Sequence, residues 1–269
     1  MKKTNFIIFT DLDGTLLDHS TYSFDAAEEA LNRIKKYCIP LILCSSKTRA
    51  EIEIWKERLE NSDPFISENG GAIFIPSILG PIKDKHIERD GYRVIELGIH
   101  YPKLIVRFKT LKDRFGNKIR GFSEMDMDEV VNLTGLSHRE AVLAKHREYT
   151  EPFVFYGNDN EKKELDKSIN NLNLKLTKGG RFFHLLGDND KGKAVSIVAK
   201  MYKEIHPGVK TIALGDSFND LPMLQTADIP ILVQKSGGVY DRQIDMANLI
   251  RAPGIGPIGW NKALLMILS

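Results

Sequence analysis

Two aspartates one residue apart, Asp11 and Asp13, follow the apolar run Phe6-Ile7-Ile8-Phe9-Thr10 and precede Gly14-Thr15. Clustered carboxylates repel, so one tends to hold a proton while the other stays ionised. That division yields a nucleophile and a general acid. An Asx turn leading into a helix is the rival account of the same residues. Ser45, Ser46 and Lys47 close a second apolar run, Pro40 to Cys44. A hydroxyl and backbone amides at a strand-to-helix turn suit a phosphate oxygen, although Ser46 or Thr48 would equally serve as a helix N-cap. Lys191 and Lys193 stand in the first turn of a helix, where the macrodipole favours anions over cations. A bound anion would account for them, and either lysine fits that role; the rival is a solvated surface charge.

The fourth group, Gly215-Asp216-Ser217-Phe218-Asn219-Asp220, follows the run Thr211 to Leu214. Asn219 or Asp220 can cap the next helix, where Pro222 is tolerated in the first turn, but capping leaves Asp216 unexplained. Mg²⁺ is usually held by one or two carboxylates with substrate phosphate and water, and Asp11 and Asp216 would supply that pair. A nucleophile, an acid, a hydroxyl, a cation and a metal-binding acid together fit phosphate-monoester hydrolysis. That reaction is among the slowest uncatalysed ones, and its main demand is charge neutralisation around the phosphoryl group.

Elements that would position these residues are visible in the spacing. Continuous apolar runs such as Phe6 to Thr10, Leu41 to Cys44, Pro64 to Ile66 and Thr211 to Leu214 read as strands buried on both faces of a parallel sheet. Helical patterns lie between them, at Ala26 to Ile34, Ile52 to Leu59 and Ala194 to Ile205. Such alternation predicts βαβ units, and ligands of open α/β sheets bind outside the carboxyl ends of the strands. Residues 83–90, Lys-Asp-Lys-His-Ile-Glu-Arg-Asp, read as a solvated loop or linker. Beyond them come amphipathic helices at 103–115, 126–133, 139–147 and 160–172, with strands at 153–156 and 181–186. The expected fold class is therefore α/β: a parallel-sheet core of residues 1–84 and 188–269, with an α+β insertion at 85–187. The segment 251–259 and a helix at 261–268 close the core.

With 42% hydrophobic residues in 269, the chain can bury a substantial core. A net charge of +2 offers no signature of nucleic-acid or membrane-surface binding. No apolar run approaches the length of a membrane span, and the two cysteines make no disulfide scaffold. The composition reads as that of a soluble cytoplasmic protein, with the oligomeric state left open.

The set Asp-Leu-Asp-Gly-Thr at 11–15, Ser45, Lys191 and Gly-Asp-Ser-Phe-Asn-Asp at 215–220 resembles the haloacid dehalogenase superfamily of phosphotransferases. The resemblance implies a Rossmann-like core and a cap of the Cof-like sugar-phosphatase branch. It implies that Asp11 becomes an aspartyl phosphate and that Asp13 acts as general acid/base and ligates Mg²⁺ through its carbonyl. It further implies that Ser45 and Lys191 bind phosphate, and that Asp216 is a metal ligand supported by Asp220. Residues 44–49, 66–71, 147–149, 180–184 and 256–261 resemble the mannosyl-3-phosphoglycerate phosphatase family. That implies a small phosphorylated sugar acid as substrate, with mannosyl and glucosyl forms not distinguished. Glu68, Asn69, Asn219, Ser46 and Lys47 are then candidates for substrate contact at the core. In the cap, Arg147, Arg181 and His184 would meet the carboxylate or hydroxyls; salt bridges and a satisfied cap histidine are their rival roles. Other sugar phosphatases, a phosphomutase and a receiver-like phospho-acceptor module are the alternative functions. A cap over such a site implies hinge closure through linkers near 80–90 and 185–190.

Overall fold

A computed structural model of the chain describes residues 6–80, 82–180 and 182–269. Arg181 lies outside the described residues. The strands, in chain order, are β1 (Phe6–Thr10), β2 (Leu41–Cys44), β3 (Phe65–Ser67), β4 (Ala72–Pro76), β5 (Ile87–Arg89), β6 (Tyr92–Glu96), β7 (Ile119–Gly121), β8 (Glu151–Phe155), β9 (Lys175–Gly179), β10 (Phe182–Leu186), β11 (Lys210–Gly215), β12 (Ile229–Gln234) and β13 (Ile250–Ile255). The helices are α1 (Glu28–Tyr37), α2 (Arg49–Arg58), α3 (Tyr101–Phe115), α4 (Met127–Thr134), α5 (His138–Lys145), α6 (Asp159–Asn171), α7 (Lys191–Ile205), α8 (Leu221–Thr226) and α9 (Gly256–Ile267).

A nine-stranded sheet runs in the order β13-β12-β11-β1-β2-β3-β4-β6-β5. From β13 to β3 it is parallel, and from β3 to β5 antiparallel. Side chains alternate faces along a strand, which explains why β1 is apolar throughout. Ile8 packs with Leu43, Ile212 and residues of α1, α2 and α9, among them Leu31, Ile52 and Trp260. Ile7 and Phe9 point the other way, against Ile42, Ala213, Val195 and Val198 of α7. β1 therefore lies at the centre of two hydrophobic layers. Its neighbours β2 and β11 are reached by connections on opposite sides of it, so a topological switch point opens at the carboxyl end of β1, where open α/β sheets bind ligands.

The boundary expected at residue 85 is corrected by this sheet. Ile87–Arg89 and Tyr92–Glu96 hydrogen-bond into it as β5 and β6, so the chain leaves the main sheet only after Glu96. The charged run at 83–90 looks like a linker because an edge strand exposes its side chains, and Glu88 and Ile87 are both exposed.

The insertion builds a four-stranded antiparallel sheet, β7-β8-β10-β9. One face carries α3 and α6 through Leu104, Phe108, Leu111, Leu165 and Ile169. On the other side α4 and α5 contribute Val130, Ala141 and Ala144, packed with Phe122 and Phe182. The alternation in β10 sends Phe183 and Leu185 into the first cluster, and turns Phe182 and His184 to the side that faces the main sheet's cleft.

Candidate active site

Asp11 follows β1 directly, its amide still donating to Leu214 of β11 at 2.9 Å. Its carbonyl accepts from Thr10 Oγ1 at 2.7 Å, and that hydroxyl accepts from the indole of buried Trp260 at 3.0 Å. Helix α9 thus braces the strand end that carries Asp11. Gly14 turns the chain at φ 76°, and a Cβ there would stand 3.1 Å from Asp216 Oδ2. The first acidic loop and the β11 loop therefore touch, with no room for a side chain between them.

Carboxylate oxygens of Asp11, Asp216 and Asp220, all buried, lie within 4.8 Å of one another. Lys191 is fully buried and donates to Asp11 Oδ1 and Asp220 Oδ1, each at 2.6 Å. The second oxygen of Asp220 accepts from the amides of Asp216 and Ser217, each at 3.1 Å. Burial and the Asp220 charge push the Asp216 carboxyl up to about 7. Burial also raises Asp11 well above the ordinary carboxylate range, against the pull of Lys191. Burial alone would lower Lys191, but the Asp11 and Asp220 carboxylates outweigh it and hold it above its usual value. Three acids against one lysine leave surplus negative charge, the condition a hard divalent cation relieves. Since both Asp220 oxygens are engaged, the oxygens open to such a cation are those of Asp11 and Asp216, with Asp220 bracing Lys191.

Asp13 lies on the same cleft, which is open to solvent and which Asp11, Ser46, Lys47, Asp216 and Asn219 also line. Asp13 Oδ2 pairs with Lys47 Nζ at 3.0 Å, while its buried Oδ1 has no protein partner. Lys47 continues to Glu51 at 3.7 Å, and Glu51 lies 4.0 Å from Arg147 of the cap.

The model of the haloacid dehalogenase-like hydrolase family matches residues 8–237. The chain belongs to that family. It is 49% identical over 264 residues to the glucosyl-3-phosphoglycerate/mannosyl-3-phosphoglycerate phosphatase of Methanococcoides burtonii, covering 98% of this chain and 97% of that protein. It is 42% identical over 265 residues to the protein of the same name from Persephonella marina, covering 98% and 97%. Among solved structures, protein 0175 of Thermoplasma acidophilum superposes with a TM-score of 0.71 at 17% identity, over 99% of this chain and 100% of that one. In this chain the acidic loops stand at strand ends on a cleft that the inserted domain also lines.

The two lysines of the α7 loop part company. Lys191 joins the acids, whereas Lys193 is exposed and pairs with Asp188 at 2.6 Å. Ser45 is 1% exposed, and its hydroxyl accepts from the Lys47 amide at 3.2 Å; Ser46 is the serine on the cleft wall. Glu68, expected to contact substrate, does not. It is completely buried, and its carboxylate accepts from the amides of Glu148, Tyr149 and Thr150 at 2.8, 3.1 and 2.7 Å, and from the Thr150 hydroxyl at 2.6 Å. It binds cap to core. Asn69, also expected at the substrate, is 1% exposed and accepts through Oδ1 from Asn219 Nδ2 at 3.2 Å. It lines a second cavity, together with Lys191 and Asn219, rather than the main cleft.

Arg147 is no surface residue. It donates to the carbonyls of Ala144 and Ser46, each at 2.8 Å, and so ties cap to core at the cleft wall. His184 faces the cleft with Nδ1 unpartnered. Burial, together with the Arg147 and Lys191 charges, lowers it to about 3, so it is neutral. Trp55 belongs to the core. Sequence reasoning missed Glu51 and Tyr22, both on the cleft. Glu51 carried a readable signal, because Thr48-Arg49-Ala50-Glu51 is a capping box, and the Thr48 and Glu51 side chains do cap each other's amides. Tyr22, in a loop, had none.

Proposed function

We propose that this chain releases inorganic phosphate from a glycosyl-3-phosphoglycerate. The observation that carries the reading is the gathering of Asp11, Asp13 and Asp216 on one capped cleft, with Lys191 bonded to Asp11, in a chain similar over almost its whole length to phosphatases named for those substrates. In the first step an Asp11 oxygen attacks phosphorus, the bond from phosphorus to the glycerate oxygen breaks, and Asp13 gives that oxygen its proton. In the second, Asp13 takes a proton from water, whose oxygen attacks the aspartyl phosphate. Phosphate leaves, and the Asp11 carboxylate is restored.

Lys191 holds Asp11 in place and offsets charge as the dianionic ester arrives. Asp11 and Asp216 would hold Mg²⁺, with the Asp13 carbonyl as a further ligand. A cation bound there neutralises the charge that otherwise keeps a carboxylate from a phosphate. Ser46, beside Ser45, faces the phosphoryl oxygens. His184 and Asn219, each with a buried polar atom lacking a protein partner, face the sugar hydroxyls.

The test is a phosphate-release assay with Mg²⁺ on mannosyl- and glucosyl-3-phosphoglycerate beside a panel of simple sugar phosphates. Release from the glycosyl-phosphoglycerates well above the panel is expected. Preference for a simple sugar phosphate would overturn the substrate, and a rearranged ester in place of free phosphate would overturn the reaction.

A further inference from the structure

Lys191 is already committed to Asp11 and Asp220, which leaves Lys47, a buried ammonium on the cleft wall, without a part in the steps above. Lys47 is 7% exposed, lies on the cleft wall, and is fixed between Asp13 at 3.0 Å, Glu51 at 3.7 Å and the Tyr22 ring at 5.1 Å. An ammonium has three donors, and its short contact with Asp13 occupies one. On the functional reading above, on which this inference rests, Asp13 protonates the ester oxygen. That oxygen therefore sits within hydrogen-bond reach of Asp13, and Lys47 flanks the leaving group rather than the phosphorus.

In a 3-phosphoglycerate the carboxylate stands on the carbon next to the esterified one, about 4 Å from the ester oxygen. An ammonium beside Asp13 covers that span. Arg147 is less suited, because its Nε and one terminal nitrogen are engaged by carbonyls and the other faces Glu51 at 4.0 Å. His184 is neutral.

We propose that Lys47 is the specificity residue that binds the leaving group's carboxylate, with Glu51 and Arg147 as the residues that position it. The site thereby selects phosphate esters with a carboxylate on the neighbouring carbon. Losing one charge-assisted hydrogen bond should reduce selection by about 10- to 100-fold.

The test compares kcat/KM for two esters, a glucosyl-3-phosphoglycerate and its counterpart with a hydroxymethyl group in place of the carboxylate. The wild type should favour the acid by about that factor. Lys47→Met should bring the ratio near unity, and Lys47→Arg should restore most of it. Lys47→Gln, which keeps a donor toward Asp13, should behave like the Met variant and covers the case in which Met does not fold. A ratio unchanged in folded Met and Gln variants, or both esters falling by the same factor, would overturn the role of Lys47 alone. Wild-type enzyme that releases phosphate from neither ester would overturn the substrate reading and this inference with it.

Discussion

The two charge networks of the cleft are built differently. The first, Asp11 with Lys191, Asp216 and Asp220, comes wholly from loops and a helix start of the main sheet, and Lys191 draws Asp11 and Asp220 together through two buried bonds of 2.6 Å. The second, running from Asp13 through Lys47 and Glu51 to Arg147, spans the main sheet and the cap with longer contacts of 3.0, 3.7 and 4.0 Å. Chemistry common to many phosphate esters needs the first together with Asp13, the end of the second that lies on the cleft beside it. A network that depends on the cap's seating is suited to sensing which ester is bound.

The largest break in this comparison comes at the nucleophile. Asp11→Asn should lower phosphate release by about 10⁴-fold or more while leaving the fold intact, read by single-turnover assay and thermal melting. Substantial release by that variant would remove Asp11 from its role. Next comes Lys191→Met, which strands buried acids and should reduce unfolding free energy by about 3–5 kcal/mol, measured in urea. A stable variant would mean that the first network holds its protons rather than its charges. Glu68→Ala tests the joint between cap and core on which the second network's seating depends. It leaves three amides and a hydroxyl without their acceptor and should lose about 3 kcal/mol, with faster amide exchange confined to residues 146–150 and their contacts. Uniformly faster exchange would refute a local clasp.

The smallest effect is with pH. The folded protein keeps the Asp216 proton until about pH 7, against 3.8 for an ordinary aspartate, so between those values the native state binds more protons than the unfolded one. Without metal, stability should therefore fall as pH rises through that window and level off above about 7, a drop of roughly 5 °C in melting temperature. Mg²⁺ should stabilise progressively more over the same window. Melting curves insensitive to both pH and Mg²⁺ would place the surplus charge elsewhere.

The main sheet was legible because strands buried on both faces are apolar without interruption, and each ends at a polar residue. That pattern located Asp11, Ser45 and Asp216 before any fold was known. β5 was hidden because an edge strand has no inner face to fill. In the cap, Arg147 and His184 are candidates through the family resemblance alone, since their placement depends on how one sheet sits over another. Glu68 misled for a related reason: a carboxylate at a strand end looks equally suited to a substrate or to three amides from 80 residues away. Choosing between Lys191 and Lys193 needed the helix phase, which turns the first inward and the second to solvent.

The clasp at Glu68 also governs how the lid can travel. Tyr149, within the clasped segment, is wedged where a Cβ on Gly71 or Gly98 would stand 2.5 or 2.8 Å from its own Cβ, so the strand passing there has no slack. A flap swinging freely on both connecting segments would first have to break the Glu68 bonds and this close contact. Residues 148–150 are therefore the anchored end of the insertion, with Arg147 beside them tied to Ser46.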